Sequence, residues 1–242
     1  MNQKDLTARL YGPAATIGAA AWNACANPEG SSDPHPFTRY EFFAACEESG
    51  SATARNGWRP CHLAVERGGE IVGLLPLYLK NHSQGEYVFD HGWADAFERA
   101  GGSYYPKLQA SVPFTPVTGK RFLVRDGDET QIRKALLGAA ATAAEELHAS
   151  SVHITFLTEE EWKDAGAFGY LQRTDQQFHW ENRGYATFDD FLGELASAKR
   201  KNLRKERAAV RDAGIEFDWL TGTEITEAHW DQFFAFYMDT GG

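Results

Sequence analysis

The alternation of apolar and polar positions marks a β-hairpin in the first third of the chain. Cys61 to Glu66 alternates around Leu63 and Val65, Arg67-Gly68-Gly69 turns the chain, and Glu70 to Lys80 returns as a long apolar strand, IVGLLPLYL. Pro76 has no N–H to give to a ladder, so this strand needs an edge position or a bulge there. Gly73 marks a close backbone approach. From Glu129 to Ala149 the period becomes helical, with Ile132, Leu136, Ala139, Ala140, Ala143 and Leu147 on one face.

Caps and breakers place the remaining elements. The Pro/Gly/Ser-rich stretch from Asn27 to Pro36, which includes Ser31, Ser32 and Asp33, is a loop. Thr38 with Glu41 three residues on predicts a capping box for a helix that Gly50 ends, and Thr158 with Glu161 predicts a second. Arg121–Val124, Val152–Phe156, Tyr170–Arg173 and Gln176–Asn182 read as strands, the second of them buried, and Asp126 to Asp128 as a turn. After Gly184 the pattern restarts. Thr187 caps a helix carrying Phe188, Phe191, Leu192 and Leu195, and Ser197–Ala213 is a basic helix stopped by Gly214. Ile215–Leu220 then reads as a strand, and a last helix carries Trp230, Phe233, Phe234 and Tyr237. This order predicts an α/β (α+β mixed) protein with a mixed, mostly antiparallel sheet and helices on both faces. The tail as it stands has no sheet on which to bury its apolar face, so the natural protein is expected to continue, and this piece alone is expected to be inactive.

Between Asn81 and Gly119 neither period holds. The stretch is rich in aromatics, Gly and Pro, with a short helix over Trp93–Arg99. Long segments of this kind on a rigid sheet commonly form binding sites. Tyr87, Trp93, Tyr104, Tyr105, Lys107, Phe114 and Thr115 are its candidate substrate-binding residues, since aromatic walls with a few polar groups suit a peptide or sugar-peptide.

Charge changes the picture at one place. The 242 residues carry a formal net charge of −10, which argues against indiscriminate nucleic-acid binding and excludes DNA as the expected partner. Ser197 to Arg211 nevertheless holds +6, leaving −16 for the rest. At helical pitch Arg200, Arg204, Arg207 and Arg211 share a face, with Lys199, Lys201 and Lys205 nearby. Guanidinium rows suit phosphate, so Lys199, Arg200, Lys201, Arg204 and Arg207 are candidate phosphate contacts. The plain alternative is a solvated face paired with Asp189, Asp190 and Glu194.

The cysteines, Cys25, Cys46 and Cys61, are odd in number and form no CxxC, which fits a reducing cytosol. With a polar amino terminus and no long apolar run, a cytoplasmic location without a membrane span is expected. The eight histidines lack ligand spacing, so no metal is expected. A base for acyl transfer could come from Asp90, His91 or His179, with Asp90-His91 after a strand only slightly the better placed, and none is assigned as catalytic.

Three stretches, GEYVFDHGWADAFERAGGSYYPKLQASVPFTPVTG, FHWENRGYATFDDFL and SAKRKNLRKERAAVRDAGI, together with PLYLK, resemble the FemAB-like branch of the GNAT superfamily of acyltransferases. The likeness covers nearly the whole chain, and YYPKL with PFTPVTG is its most specific part. It implies a GNAT-like fold with tandem domains, residues 1–175 on the acceptor side and 176–242 the start of a truncated second domain. It implies transfer of an acyl or aminoacyl group, from acyl-CoA or the acceptor end of an aminoacyl-tRNA, to an amine such as that of a peptidoglycan precursor. The alternative is an inactive module that binds a cell-wall precursor or another phosphorylated ligand. No tightly bound cofactor is implied, and the oligomeric state is open. One departure matters. The R/Q-x-x-G-x-G/A loop that binds pyrophosphate in GNAT enzymes is replaced before the Glu129 helix by KRFLVRDGDET, where Asp126, Asp128 and Glu129 would repel phosphate.

Overall fold

The structure, a computed structural model, describes residues 6–28, 30, 34–125, 127 and 129–241. Asp126 and Asp128 in the loop before the Glu129 helix, and Ser31, Ser32 and Asp33 in the Pro-rich loop, lie outside these. The chain divides into two compact units, Met1–Thr174 and Asp175–Gly242.

In the first unit the order is β1 (Leu6–Leu10), α1 (Ala19–Ala26), α2 (Tyr40–Glu48), β2 (Trp58–Pro60), β3 (Leu63–Arg67), β4 (Glu70–Leu75), β5 (Tyr78–Lys80), α3 (His91–Arg99), β6 (Lys107–Ala110), β7 (Leu123–Val124), α4 (Glu129–Glu146), β8 (Val152–Ile154) and α5 (Glu159–Phe168). Two four-stranded sheets result, ordered β1-β3-β4-β7 and β2-β5-β6-β8. All pairs are antiparallel except β6 with β8. The fold is mixed α/β.

The two sheets share one hairpin. Its outgoing arm is β2 then β3, and its return arm is β4 then β5, so the hairpin crosses from one sheet to the other at Cys61–His62 and Pro76–Leu77. Pro76 ends β4, and the imidazole of His62 repairs the break: its Nδ1 accepts the Leu77 N–H at 3.1 Å. Its Nε2 then carries the proton and donates to Glu47 Oε1 at 2.8 Å. Glu47 also accepts from the Tyr78 hydroxyl at 2.9 Å and the Ala14 N–H at 2.7 Å, which ties α2 to the crossing point.

Alternation along the arms builds two cores. Leu63, Val65 and Leu75 face Ile132, Leu136 and Ala140 of α4, while Ala64 and Leu74 face Trp22 and Phe43 of α1 and α2. Gly73 is the close approach: a Cβ there would stand 2.3 Å from Ile132 Cγ2. The Thr158–Glu161 capping box of α5 is formed, and the Glu161 carboxylate goes further, accepting the N–H groups of Arg121 and Phe122 beside β7.

Several expected elements are corrected. Thr38 does not cap α2. Its hydroxyl donates to the His35 carbonyl, and Asn23 of α1 accepts the first helical N–H, from Tyr40, at 2.9 Å. Tyr170–Arg173 is no strand, because side chains hold it: Tyr170 donates to Leu137 O, and Arg173 O accepts from Trp162. Val152–Phe156 is only half-buried, and its strand is limited to β8.

The second unit contains α6 (Phe188–Gly193), α7 (Ser197–Asp212) and α8 (Glu227–Gly241). Thr187 caps α6 with Asp190 in a capping box, and Gly214, at φ 69°, follows α7. Gln176–Asn182 and Ile215–Leu220 form no strands. They have no partner strand among the described residues, and Phe217 and Trp219 are both exposed.

Candidate functional site

The second sheet has two unlike faces. One, carrying Leu79, Leu108, Ala110, Val152 and Ile154, packs into the core under α4. Period two puts Trp58, Lys80, Lys107, Gln109, Ser111 and His153 on the other. Register sets them side by side: Trp58 opposite Lys80, Lys80 opposite Lys107, and Gln109 beside His153. This polar face is not in solvent. Lys80, Lys107 and Gln109 are all 0% exposed.

Burying an ammonium is costly unless it is paired and hydrogen-bonded. Lys107 Nζ donates to Glu86 Oε2 at 2.8 Å, Asp90 Oδ2 at 2.5 Å and Ser83 Oγ at 2.8 Å. The Tyr104 hydroxyl donates to the same Asp90 oxygen at 2.8 Å, and Ser83 bonds the Tyr105 hydroxyl at 2.8 Å. Lys80 is less well served. Its Nζ donates to Gln84 O at 3.2 Å, lies 3.5 Å from the centre of the Trp58 ring, and stands 3.8 Å from Glu86 Oε1. Four buried oxygens of this region have no hydrogen-bond partner among the described residues: Glu86 Oε1, Asp90 Oδ1, Gln109 Oε1 and Ser111 Oγ. Each such atom costs about 1–3 kcal/mol.

Burial and pairing set the proton affinities. Burial pulls Lys80 down to about 7, against the attraction of Glu86. Burial raises Glu86, opposed by Lys107. Burial would also raise Asp90, but hydrogen bonds from Lys107, Ser83 and Tyr104 outweigh it and hold the carboxyl at about 2. Burial, reinforced by Lys107, lowers His153 to about 4. Burial pushes Cys25 and Cys46 up to about 11 and Cys61 to about 12, so none is a thiolate nucleophile near neutrality.

A surface cavity of about 530 Å³ lies beside this cluster, lined by Ser51, Asn56, Trp58, His82, Gln84, Gly85 and Phe114. Its inner wall is the Trp58 indole, against which Lys80 packs. Gly85, at φ 78°, lets the wall close: a Cβ there would meet Phe114 Cδ1 at 2.8 Å. Tyr87 and Phe114 hold φ of 57° and 60°, backbone strain in the segments that cover the polar face. The His82 imidazole accepts the Gln84 N–H on Nδ1 and so donates from Nε2 to Asn56 O at 3.0 Å. Both nitrogens are engaged, which leaves no free base there.

The residues named from sequence fall in different places. Tyr104, Tyr105 and Lys107 are in the buried cluster, Phe114 lines the cavity, and Thr115 is half-buried. Tyr87 and Trp93 are exposed. Asp90 is held by Lys107 and Tyr104, His91 is exposed at the start of α3, and His179 is exposed in the second unit beside Gln177. Lys80, Ser83, Glu86, Gln109 and His153 escaped the sequence reading. KLQAS does alternate, with polar side chains at 107, 109 and 111, but five residues inside a Gly/Pro-rich stretch passed as irregular.

In the second unit, three arginines of α7 turn to α6. Arg200 donates to Gly193 O at 3.1 Å, Arg204 pairs with Asp189 at 3.1 Å, and Arg207 stacks 4.2 Å from the centre of the Phe188 ring. Lys199 and Lys201 are exposed and have no ion pair among the described residues. Also among the described residues, no cluster of three or more His, Cys, Asp or Glu is placed to hold a metal, and no helix is long and apolar enough to cross a membrane.

The fold and site define a mixed α/β scaffold that encloses a charged sheet face beside an aromatic cavity. The chain belongs to the FemAB-like family, described as peptidoglycan biosynthesis/recognition, which matches residues 14–242. No curated protein matches it. Among solved structures it is similar to a ribosomal-protein-alanine N-acetyltransferase from Brucella melitensis biovar Abortus 2308, at 12% identity and a TM-score of 0.39 over 74% of this chain and 98% of that one. A likeness that low assigns no activity.

Proposed function

We propose that this chain works in an N-acyltransferase or aminoacyltransferase that moves an acyl or aminoacyl group from a CoA or tRNA donor to an amine of a peptidoglycan precursor. Family membership supplies the precursor class. The carrying observation is the cavity walled by Trp58, His82, Gln84, Gly85 and Phe114, with buried carboxylates behind its inner wall. Its aromatic wall and few polar groups suit a sugar-peptide, so the first unit holds the acceptor. In this reading the second unit meets phosphate through Lys199, Arg200, Lys201, Arg204 and Arg207 of α7. The Arg204–Asp189 pair is exposed on both sides, and such pairs are worth little, so a phosphate group can displace it.

A second reading follows from the bases. Asp90 is held near 2 and both nitrogens of His82 are used, so neither serves as the base, which suits a recognition module. The test is to incubate the protein with labelled acetyl-CoA or aminoacyl-tRNA and a nucleotide-linked muropeptide. Saturable muropeptide binding with transfer supports the enzyme. Binding without transfer supports the recognition module, and neither binding nor transfer removes both.

A further inference from the structure

Both carboxylates of the buried cluster are only half used. Glu86 and Asp90 each give one oxygen to Lys107 Nζ and keep the other without a hydrogen-bond partner among the described residues. Both carboxylates meet at that one nitrogen. Gln109 sits two residues from Lys107 on the same face of β6, gives its Nε2 to Thr155 at 3.0 Å, and leaves Oε1 unpaired. These three atoms are acceptors with no proton to donate, and Glu86, Asp90 and Gln109 are 2%, 2% and 0% exposed. Buried polar groups in folded proteins are almost always paired, so three unpaired acceptors in one cluster ask for a donor.

Charge favours a cationic donor. Lys107 offsets one of the two carboxylates. Lys80 forms an ion pair with Glu86 Oε1 at 3.8 Å without reaching hydrogen-bond distance, and as its proton leaves near 7 the second carboxylate loses that counter-charge. We infer that Glu86, Asp90 and Gln109 form an oxygen cage for the ammonium group of a ligand that enters from the Trp58–Phe114 cavity. Trp58 and the turn at Gln84–Gly85 line the cavity, and Lys80 links both to the cage: it packs on the Trp58 ring, donates to Gln84 O and stands 3.8 Å from Glu86 Oε1. In this proposal the ligand enters by displacing that turn together with the Lys80 side chain. The ligand class, a primary amine on a flexible arm, rests on the acceptor reading above, while the assignment of the three residues does not depend on transfer.

The groups facing Lys80 are Glu86, Asp90, Lys107 and His82, with Tyr104 and His153 on the far side of Lys107. Lys80 loses its proton near 7, so a ligand ammonium meets less competition above that value. The probe is n-butylammonium, followed by saturation-transfer NMR on the full chain at about pH 6 and about pH 8, with 1-butanol as control. The expected result is a signal for the amine and none for the alcohol, stronger at the higher pH. Glu86→Gln and Gln109→Leu should each weaken binding about tenfold, with folding of each checked by circular dichroism. If Glu86→Gln does not fold, Gln109→Leu decides. Equal signals from wild type and folded variants, or from amine and alcohol, would overturn the cage. So would a crystal structure, grown with the amine, showing ordered water alone on all three oxygens. None of these results touches muropeptide binding in the outer cavity, which is measured separately.

Discussion

Lys107 is the residue on which the buried cluster turns, because it alone among the described residues hydrogen-bonds both Glu86 and Asp90. Lys107→Met would leave two carboxylates buried without that partner, a loss of about 3–5 kcal/mol expected in urea unfolding. Lys80→Met should cost less than half as much, since Lys80 makes no hydrogen bond to either carboxylate. Equal losses would contradict the asymmetry. His153 adds a pH dependence. Its folded value, about 4, lies below the ordinary 6.5, so between these values the unfolded chain binds the extra proton. Stability should therefore fall as pH drops from 6.5 to 4, and His153→Gln should flatten that slope. Asp90 acts lower: its stabilisation is lost as pH falls from 3.8 through about 2, below the His153 window, while Glu86 and Glu161, raised by burial, act in the opposite sense above 4.5, so the comparison with His153→Gln isolates the imidazole. At this scale the sequence was half legible. Tyr104, Lys107 and Asp90 stood out by type and setting. Lys80, Ser83 and Glu86 did not, because only the strand register that sets Lys80 opposite Lys107 brings them to one place.

Among the elements, those with a strong local signal could be read in advance. The hairpin showed in its Arg-Gly-Gly turn, α4 in its apolar stripe, and α5 in the Thr158–Glu161 pair. The failures had tertiary causes. Asn23, from another helix, took the cap expected of Thr38, and β6 was hidden in the aromatic stretch because its pattern runs for so few residues. Gly73 was visible as an oddity, but what approaches it is a side chain of α4 rather than backbone. Gly73→Ala would place a methyl 2.3 Å from Ile132 Cγ2. It should destabilise by about 1–3 kcal/mol in the same unfolding assay. Measured in an Ile132→Ala background, where Cγ2 is gone, the same Gly73→Ala change should cost less, and a Gly73→Ala protein as stable as wild type would show that α4 packs there more loosely.

For the whole molecule, the central feature is the hairpin that crosses between two sheets at His62 and Pro76. The crossing turns Trp58 and Lys80 onto a face that the segment from Asn81 to Gly119 covers, and that cover shapes the aromatic cavity. In the proposed reading, a precursor of the class that the family description names occupies the cavity. The direct test is calorimetric titration of a nucleotide-linked muropeptide into the protein and into Ser51→Trp, which fills the cavity from its exposed rim without touching the buried cluster. Binding to the wild type that weakens at least about tenfold in Ser51→Trp is the predicted result. Equal affinity for the two proteins would place the precursor elsewhere and contradict the account.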